Sequence, residues 1–182
     1  MFCVKKLSGA IGAELAGVDL TNNLSEEILV SINEHLVNYE VVFFRDQDIS
    51  WEQHVKLGEF FGPLQSHPAY NSPPNYPEIT ILESTKDNPS KIECWHTDMT
   101  FLKNPPLCSI LRSKICPSKG GDTMWSSMTA AYESLSLSMK NFLKNLTAEH
   151  DFCHGFKESI AEPGGRERLK DAIKNNPPGS AI

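Results

Sequence analysis

Prolines concentrate in one stretch of this 182-residue chain, and they constrain its folding more than any other feature. A proline lacks the amide hydrogen and fixes its own φ, so it breaks a helix and cannot pair inside a sheet. The stretch is therefore predicted to be a loop. It separates an N-terminal third with clear helical periodicity from a remainder made of short apolar runs. The prolines are Pro63, Pro68, Pro73, Pro74 and Pro77.

The N-terminal third predicts two helices and short strands. Ser25 precedes two acidic residues and an apolar stripe at helical spacing, which predicts a capped helix over 25–39. Ser50 and Gln53 form a capping-box pattern for a second helix, which Gly62 and Pro63 end after about residue 61. Strands are predicted at 2–7 and, buried, at 41–44, and residues 11–19 are predicted to form a short strand or a turn.

The remainder predicts strands at 79–83, 93–101, 107–115, 123–126 and 147–152, and helices at 129–135, 138–146 and 165–175. Strand and helix alternate irregularly, which disfavours a doubly wound parallel sheet. The pattern therefore predicts an α+β domain, mainly β, or a β-sandwich-like domain.

Composition excludes several function classes. Seventeen basic and 23 acidic residues give a net charge of −6, whereas a nucleic-acid partner requires a basic face. No apolar run approaches the ~18 residues of a membrane span. The five cysteines are odd in number and form no Cys-x-x-Cys pair, which favours reduced thiols in the cytoplasm.

The residue pattern that carries chemistry is His96-Thr97-Asp98. In a strand, residues two apart project from the same face, so the imidazole and the carboxylate would point together. They make two-thirds of a facial triad, the donor set of non-haem Fe(II) oxygenases. The pattern is weak by itself, because a His-x-Asp pair often arises by chance.

The blocks around this motif resemble the taurine dioxygenase family (the TauD/TfdA group) of Fe(II)- and 2-oxoglutarate-dependent oxygenases. The resemblance extends from about Ile11 to Pro178. Many blocks in the right order are far more specific than His-x-Asp alone. They lie at 11–20, 41–47, 60–64, 67–70, 95–98, 101–106, 120–123, 130–133 and 148–152.

The resemblance implies a role for seven residues. His96 and Asp98 match the first two iron ligands, and Thr123 matches the donor to a 2-oxoglutarate carboxylate. Fe(II), 2-oxoglutarate and O2 are the implied cofactor and co-substrates, and the implied partner is a small-molecule substrate. Family members are commonly oligomeric, so a homo-oligomer is compatible with the resemblance. Positions that line the family's substrate pocket are matched by His67, Tyr70, Phe101 and Phe156.

Two departures put taurine itself in doubt. Taurine enzymes have an Asn four residues before the metal His and a Ser near the pocket Phe, and here these positions are Ile92 and Gly155. Both lost side chains are polar partners of an amine, so discrimination for taurine would fall. A related sulfonate or another small organic acid fits the resemblance comparably well.

The resemblance also implies a double-stranded β-helix (jelly roll) with flanking helices, incomplete at the C-terminus. The family's third ligand, a distal His, and its 2-oxoglutarate-binding Arg lie beyond the block that ends at Pro178. Residues 1–182 are thus expected to be the N-terminal part of one dioxygenase domain, with little activity alone. Two alternatives stay open: a non-enzymatic remnant that acts as a binding scaffold, and a zinc hydrolase that uses His96, Asp98 and His150.

Overall fold

A computed structural model describes residues 2–87, 89 and 94–178. Within them, three strands and eight helices form two compact units. Unit 1 comprises Met1–Phe60 and Leu111–Leu146, and unit 2 comprises Phe61–Ile110 and Thr147–Ile182. The elements are β1 (Cys3–Lys6), β2 (Ala13–Ala16), α1 (Glu26–Tyr39), β3 (Val42–Phe43), α2 (Trp51–Phe61), α3 (Met128–Glu133), α4 (Leu137–Leu143), α5 (Phe152–Gly155), α6 (Lys157–Ala161), α7 (Gly165–Arg168) and α8 (Lys170–Asn175).

The sheet of unit 1 has the strand order β1-β2-β3. Strand β1 pairs antiparallel with β2, with Val4 opposite Leu15, and β2 pairs parallel with β3, with Ala13 opposite Val42. Parallel neighbours need a crossover, and α1 supplies it. Ala13 and Leu15 are buried, which gives the sheet its core face. The strand at 41–44 is confirmed but is only two residues long and half-buried rather than buried.

Helix α1 forms where the periodicity predicts it and buries Ile32. Ser25 is the N-cap residue, but its side chain does not accept a hydrogen bond from the first turn, so the predicted side-chain cap is wrong. Its hydroxyl instead hydrogen-bonds the Glu27 carboxylate, and this bond is the main reason that the pKa of Glu27 is lowered. The backbone carbonyl of Ser25 still accepts from the amides of Ile28 and Leu29.

The capping box of α2 is confirmed in both directions. The Gln53 amide N–H donates to Ser50 Oγ at 3.1 Å, and the Ser50 N–H donates to Gln53 Oε1 at 2.7 Å. These bonds satisfy amides that the helix itself leaves unpaired. The helix ends at Phe61, and Gly62 follows with φ 136°, a value that favours glycine.

Side-chain contacts join the two sequence segments of unit 1. The Arg112 guanidinium donates to the Asp48 carboxylate and to the carbonyl of Ile49. Ser127 Oγ donates to Glu40 Oε1 at 2.7 Å and also accepts from the Ala130 amide at the start of α3. Helices α3 and α4 confirm the two predicted helices, and they are one and two residues shorter than predicted.

Unit 2 has its core at Phe101, Phe152 and Ala172. Asp151 caps α5 by accepting from the Cys153 amide at 2.9 Å. Helices α5 and α6 were not predicted, and the strand expected at 147–152 is wrong. The helix expected over 165–175 divides at Leu169 into α7 and α8.

The other predicted strands are wrong for the described residues. Segments 79–83, 94–101, 107–115 and 123–126 are irregular or turn, and Glu93 lies outside the described residues. The pattern of apolar residues indicates which side chains favour burial. A strand forms only when a neighbouring strand pairs with it through backbone hydrogen bonds. The α+β content is therefore present, with its regular part mostly helical rather than mainly β. Among the described residues, no helix is long and apolar enough to cross a membrane.

Candidate metal centre and substrate pocket

The structure brings His96 and Asp98 together in unit 2. His96 Nε2 lies 3.3 Å from Asp98 Oδ1, and both side chains are about half exposed. Two donors bound in cis positions at about 2.1 Å from one octahedral ion lie about 3 Å apart. The spacing therefore fits two ligands of a single metal ion.

The tautomer of His96 supports the same interpretation. Nδ1 lies 2.8 Å from the carbonyl oxygen of Cys94, which can only accept, so Nδ1 carries a proton. A neutral imidazole held in this way turns the lone pair of Nε2 toward the carboxylate oxygen. A metal ion that binds both Nε2 and the carboxylate oxygen would be compatible with this arrangement.

The backbone places the pair by a turn and not by the predicted strand. Met99 follows Asp98 with φ 53°, in the left-handed region, and the Leu102 amide donates back to the Met99 carbonyl at 3.0 Å. A non-glycine residue in this region costs about 1–2 kcal/mol. The two side chains lie together as predicted from the sequence, but a turn brings them together, and the predicted strand is wrong.

Asp98 has a further partner that the sequence did not indicate. Ser109 Oγ donates to Asp98 Oδ2 at 3.1 Å. The two oxygens of the carboxylate therefore have different neighbours. A serine eleven residues away, beyond two prolines, carries no sequence signal for such a contact.

The four residues predicted to line a substrate pocket lie together in unit 2. His67 is the centre of the group: its ring centroid is 4.5 Å from Tyr70, 5.6 Å from Phe156 and 6.5 Å from Phe101. Phe156 also stacks on Phe152 at 4.6 Å, which ties the group to the buried core of the unit. Phe101 is itself buried, whereas Tyr70 is partly exposed. The group thus has a rigid aromatic base and an open side.

Hydrogen bonding sets the His67 tautomer. The Ala69 amide donates to His67 Nδ1 at 3.1 Å, so Nδ1 is an acceptor and the proton of the neutral ring is on Nε2. Burial lowers the pKa of His67, and attraction to the Asp98 carboxylate opposes part of that shift. His67 is therefore a neutral N–H donor at pH 7.

The same carboxylate also acts on Tyr70. Burial, and secondly the negative charge of Asp98, raise the pKa of its phenol. Tyr70 thus keeps its O–H proton. The negative charge of Asp98 therefore affects the pKa of both His67 and Tyr70.

Thr123 is exposed and lies in unit 1, in the irregular segment between the Gly120-Gly121 turn and α3. Ile92 lies outside the described residues. Gly155 is the last residue of α5. Arg45 pairs with Glu14 at 3.2 Å.

A zinc site that includes His150 is not found. Its Nδ1 lies 2.8 Å from Thr100 Oγ1, and no group of three His, Cys, Asp or Glu side chains in the described part of the chain could hold a metal ion. The zinc alternative therefore has no support among the described residues, where only the His96 and Asp98 side chains of that set lie in contact.

A surface cleft of about 390 Å³ lies beside these residues without including them. Pro68 and Met99, the sequence neighbours of His67 and Asp98, line it together with Asn176 and four residues at 64–66 and 102. None of the residues predicted to form the site is among the described residues that line this cleft.

The proteins that this chain resembles include several named for sulfur compounds. The chain is 36% identical over 170 residues to an alkylsulfatase of Acinetobacter baylyi, covering 92% of this chain and 53% of the relative. It is 34% identical over 151 residues to an alpha-ketoglutarate-dependent sulfate ester dioxygenase of Pseudomonas putida, covering 81% and 48%. The crystal structure of a taurine dioxygenase from Burkholderia xenovorans matches 83% of this chain and 54% of that chain, with a TM-score of 0.71 and 39% identity.

The chain spans about half the length of the curated relatives it matches. The family model described as "Taurine catabolism dioxygenase TauD, TfdA family" matches residues 4–181, which is almost the whole chain. The chain belongs to the taurine catabolism dioxygenase TauD, TfdA family.

Proposed function

We propose that this chain forms part of an Fe(II)- and 2-oxoglutarate-dependent dioxygenase that hydroxylates a small sulfate ester or sulfonate. The observation that carries the proposal is the 3.3 Å approach of His96 Nε2 to Asp98 Oδ1, in the unit that also holds the aromatic group around His67. Bound Fe(II), with 2-oxoglutarate and O2, supplies an oxidant for C–H bonds and yields succinate and carbon dioxide. The fold of such an enzyme would be the double-stranded β-helix implied by the family.

His96 and Asp98 would hold the metal through Nε2 and Oδ1. These are the atoms that face each other, and their spacing fits cis positions on one ion. Thr123 would donate its hydroxyl to a carboxylate of 2-oxoglutarate.

His67 would bind the acidic group of the substrate. It is a neutral imidazole whose Nε2–H is the only donor left once Nδ1 has accepted from Ala69. A sulfate or sulfonate oxygen is an acceptor, so a fixed N–H donor matches it. Tyr70, Phe101 and Phe156 would contact the carbon chain.

The lack of an amine partner favours an alkyl sulfate or alkyl sulfonate over taurine. Gly155 has no side chain where taurine enzymes have a Ser, so an ammonium group would lose a hydrogen bond. The relatives named as an alkylsulfatase and a sulfate ester dioxygenase support this choice. Hydroxylation at the carbon that bears the sulfur group would release an aldehyde with sulfate from an ester, or with sulfite from a sulfonate.

Metal binding tests the metal pair directly. The 182-residue chain should bind Mn(II) more tightly than its His96→Ala variant, as measured by the loss of the free Mn(II) signal in electron paramagnetic resonance. Equal affinities would refute the metal pair. Because only two donors meet in the described residues, we expect slow succinate formation by this chain alone, and a rate typical of a complete enzyme would contradict that expectation.

Ligand titration tests the pocket separately from the metal. Hexyl sulfate should shift the imidazole NMR signals of His67, and hexylamine should not. His67→Phe keeps an aromatic ring but removes the donor, and should weaken hexyl sulfate binding about tenfold or more, since a hydrogen bond to a charged group contributes about 1.5–3 kcal/mol. Unchanged affinity in this variant would refute the role of His67, with Tyr70→Phe as the matched ring control.

A further inference from the structure

The two carboxylate oxygens of Asp98 have different surroundings in unit 2. Oδ1 faces His96 Nε2 at 3.3 Å, whereas Oδ2 accepts a hydrogen bond from Ser109 Oγ at 3.1 Å. The direction of this bond is unambiguous, because an ionised carboxylate can only accept.

We infer that Ser109 is a positioning residue that holds Asp98 as a one-oxygen ligand of the metal. This inference rests on the proposed function, since it concerns the same metal pair. The Ser109 hydroxyl occupies Oδ2 and fixes the rotation of the carboxylate about its Cβ–Cγ bond. Oδ1 is then the oxygen aimed at the position that Nε2 also faces.

Ser109 would thereby determine how many coordination positions of the metal Asp98 occupies. A carboxylate that is free to rotate can bind an ion through both oxygens and so occupy two positions. Ser109 prevents this by engaging the second oxygen, which leaves one more position for a co-substrate. The His96 ring is held in a comparable way by the Cys94 carbonyl at Nδ1, so both donors have a partner that orients them.

Ser109 can be replaced without disturbing the core of unit 2. It is exposed and lies in an irregular segment, so replacing it removes no buried packing. A change of metal binding in its variants therefore reports on the hydroxyl and not on folding.

The test compares two β-branched variants of equal shape. Ser109→Thr keeps the hydroxyl, and Ser109→Val replaces it by a methyl group. In Mn(II) titrations of the 182-residue chain followed by electron paramagnetic resonance, Ser109→Val should bind about tenfold more weakly than the unmodified chain, at the low end of the 10–100-fold effect of such orienting partners. Ser109→Thr should stay within about twofold.

A second readout follows the carboxylate itself. Infrared difference spectra between Mn(II)-loaded and metal-free chain, with Asp98→Asn as the blank, separate one-oxygen from two-oxygen coordination by the spacing of the carboxylate stretching bands. The unmodified chain and Ser109→Thr should give the wide spacing of one-oxygen binding, and Ser109→Val the narrow spacing of two-oxygen binding.

The outcomes distinguish this inference from the proposed function. If Ser109→Val binds Mn(II) as tightly as the unmodified chain with the same band spacing, or if Ser109→Thr behaves like Ser109→Val, the inference is refuted and the metal pair stands. If the unmodified chain binds no more tightly than His96→Ala, the metal pair fails and the inference is overturned with it.

Discussion

Phe152 is the residue of unit 2 whose truncation should be most costly. Its side chain is 1% exposed. It stacks on Phe156 with ring centroids 4.6 Å apart and meets Phe101 edge-on at 5.1 Å. Phe152→Ala removes a ring held between two others, so we expect a loss of about 3–5 kcal/mol of unfolding free energy. Phe152→Leu fills most of the volume and should cost less than about 1.5 kcal/mol.

Urea unfolding measures this difference. With a denaturant slope of roughly 2 kcal/mol/M, a loss of about 4 kcal/mol moves the midpoint by about 2 M. The methyl NMR signals of Ala172 and Ile173 report on this unit specifically, because both residues belong to or contact the same cluster. A shift below about 0.5 M for Phe152→Ala, or equal shifts for the two variants, would show that the aromatic cluster does not support the pocket as argued.

Three further predictions concern single residues. The pKa of His67, measured by imidazole NMR, should lie below its ordinary value of about 6.5, because burial disfavours the charged ring. Acid should therefore destabilise the fold through this residue as the pH falls below about 6.5. The Asp98→Asn variant should lower the pKa of His67 further, and a rise would contradict the assignment. Gln47→Met should cost about 2–3 kcal/mol in urea unfolding, since the Gln47 amide bonds Leu20, Val18 and Arg45 at about 1 kcal/mol each, while Gln65→Met, with one 3.3 Å bond, should change stability by less than about 0.5 kcal/mol. Gly165→Ala should lower the thermal midpoint because its methyl group would overlap the Ser159 carbonyl, whereas Gly155→Ala meets no atom within 4 Å and should raise it; the same sign for both would refute the steric argument.

The two helices of the N-terminal third could be predicted because they depend on residues that are close together in the sequence. The capping box of α2 depends on residues three apart, and both of its bonds form. Helix α1 follows from its apolar stripe in the same way. These features need only contacts between near neighbours in sequence.

The misplaced strands needed information that a local pattern does not contain. Leu107, Leu111 and Ile115 suggest a strand, yet they are 76%, 62% and 91% exposed in an irregular segment. Pattern indicates what a residue favours, and a sheet additionally requires a partner at the right distance. Helices α5 and α6 were missed for a different reason, because they are four and five residues long and too short to show a period.

The sequence could predict which residues form the candidate site, but not the hydrogen bonds that orient them. The motif blocks identified His67, Tyr70, Phe101 and Phe156, and the structure brings them together. The tautomer of His67 and the contact of Ser109 with Asp98 depend on loop geometry, which follows from the left-handed turn at Met99 and from the proline-rich stretch. Their roles in binding stay predictions.

The interleaved order of the two units sets the order in which the chain can fold during synthesis. Unit 1 closes only when Arg112 reaches Asp48 and Ser127 reaches Glu40, although its sheet and first helix are made much earlier. At about 5–20 residues per second, a ribosome needs about 4–17 s to make residues 61–146. During that interval the nascent sheet lacks its second sequence segment, so chaperone binding to this chain should be strongest before residue 146 emerges.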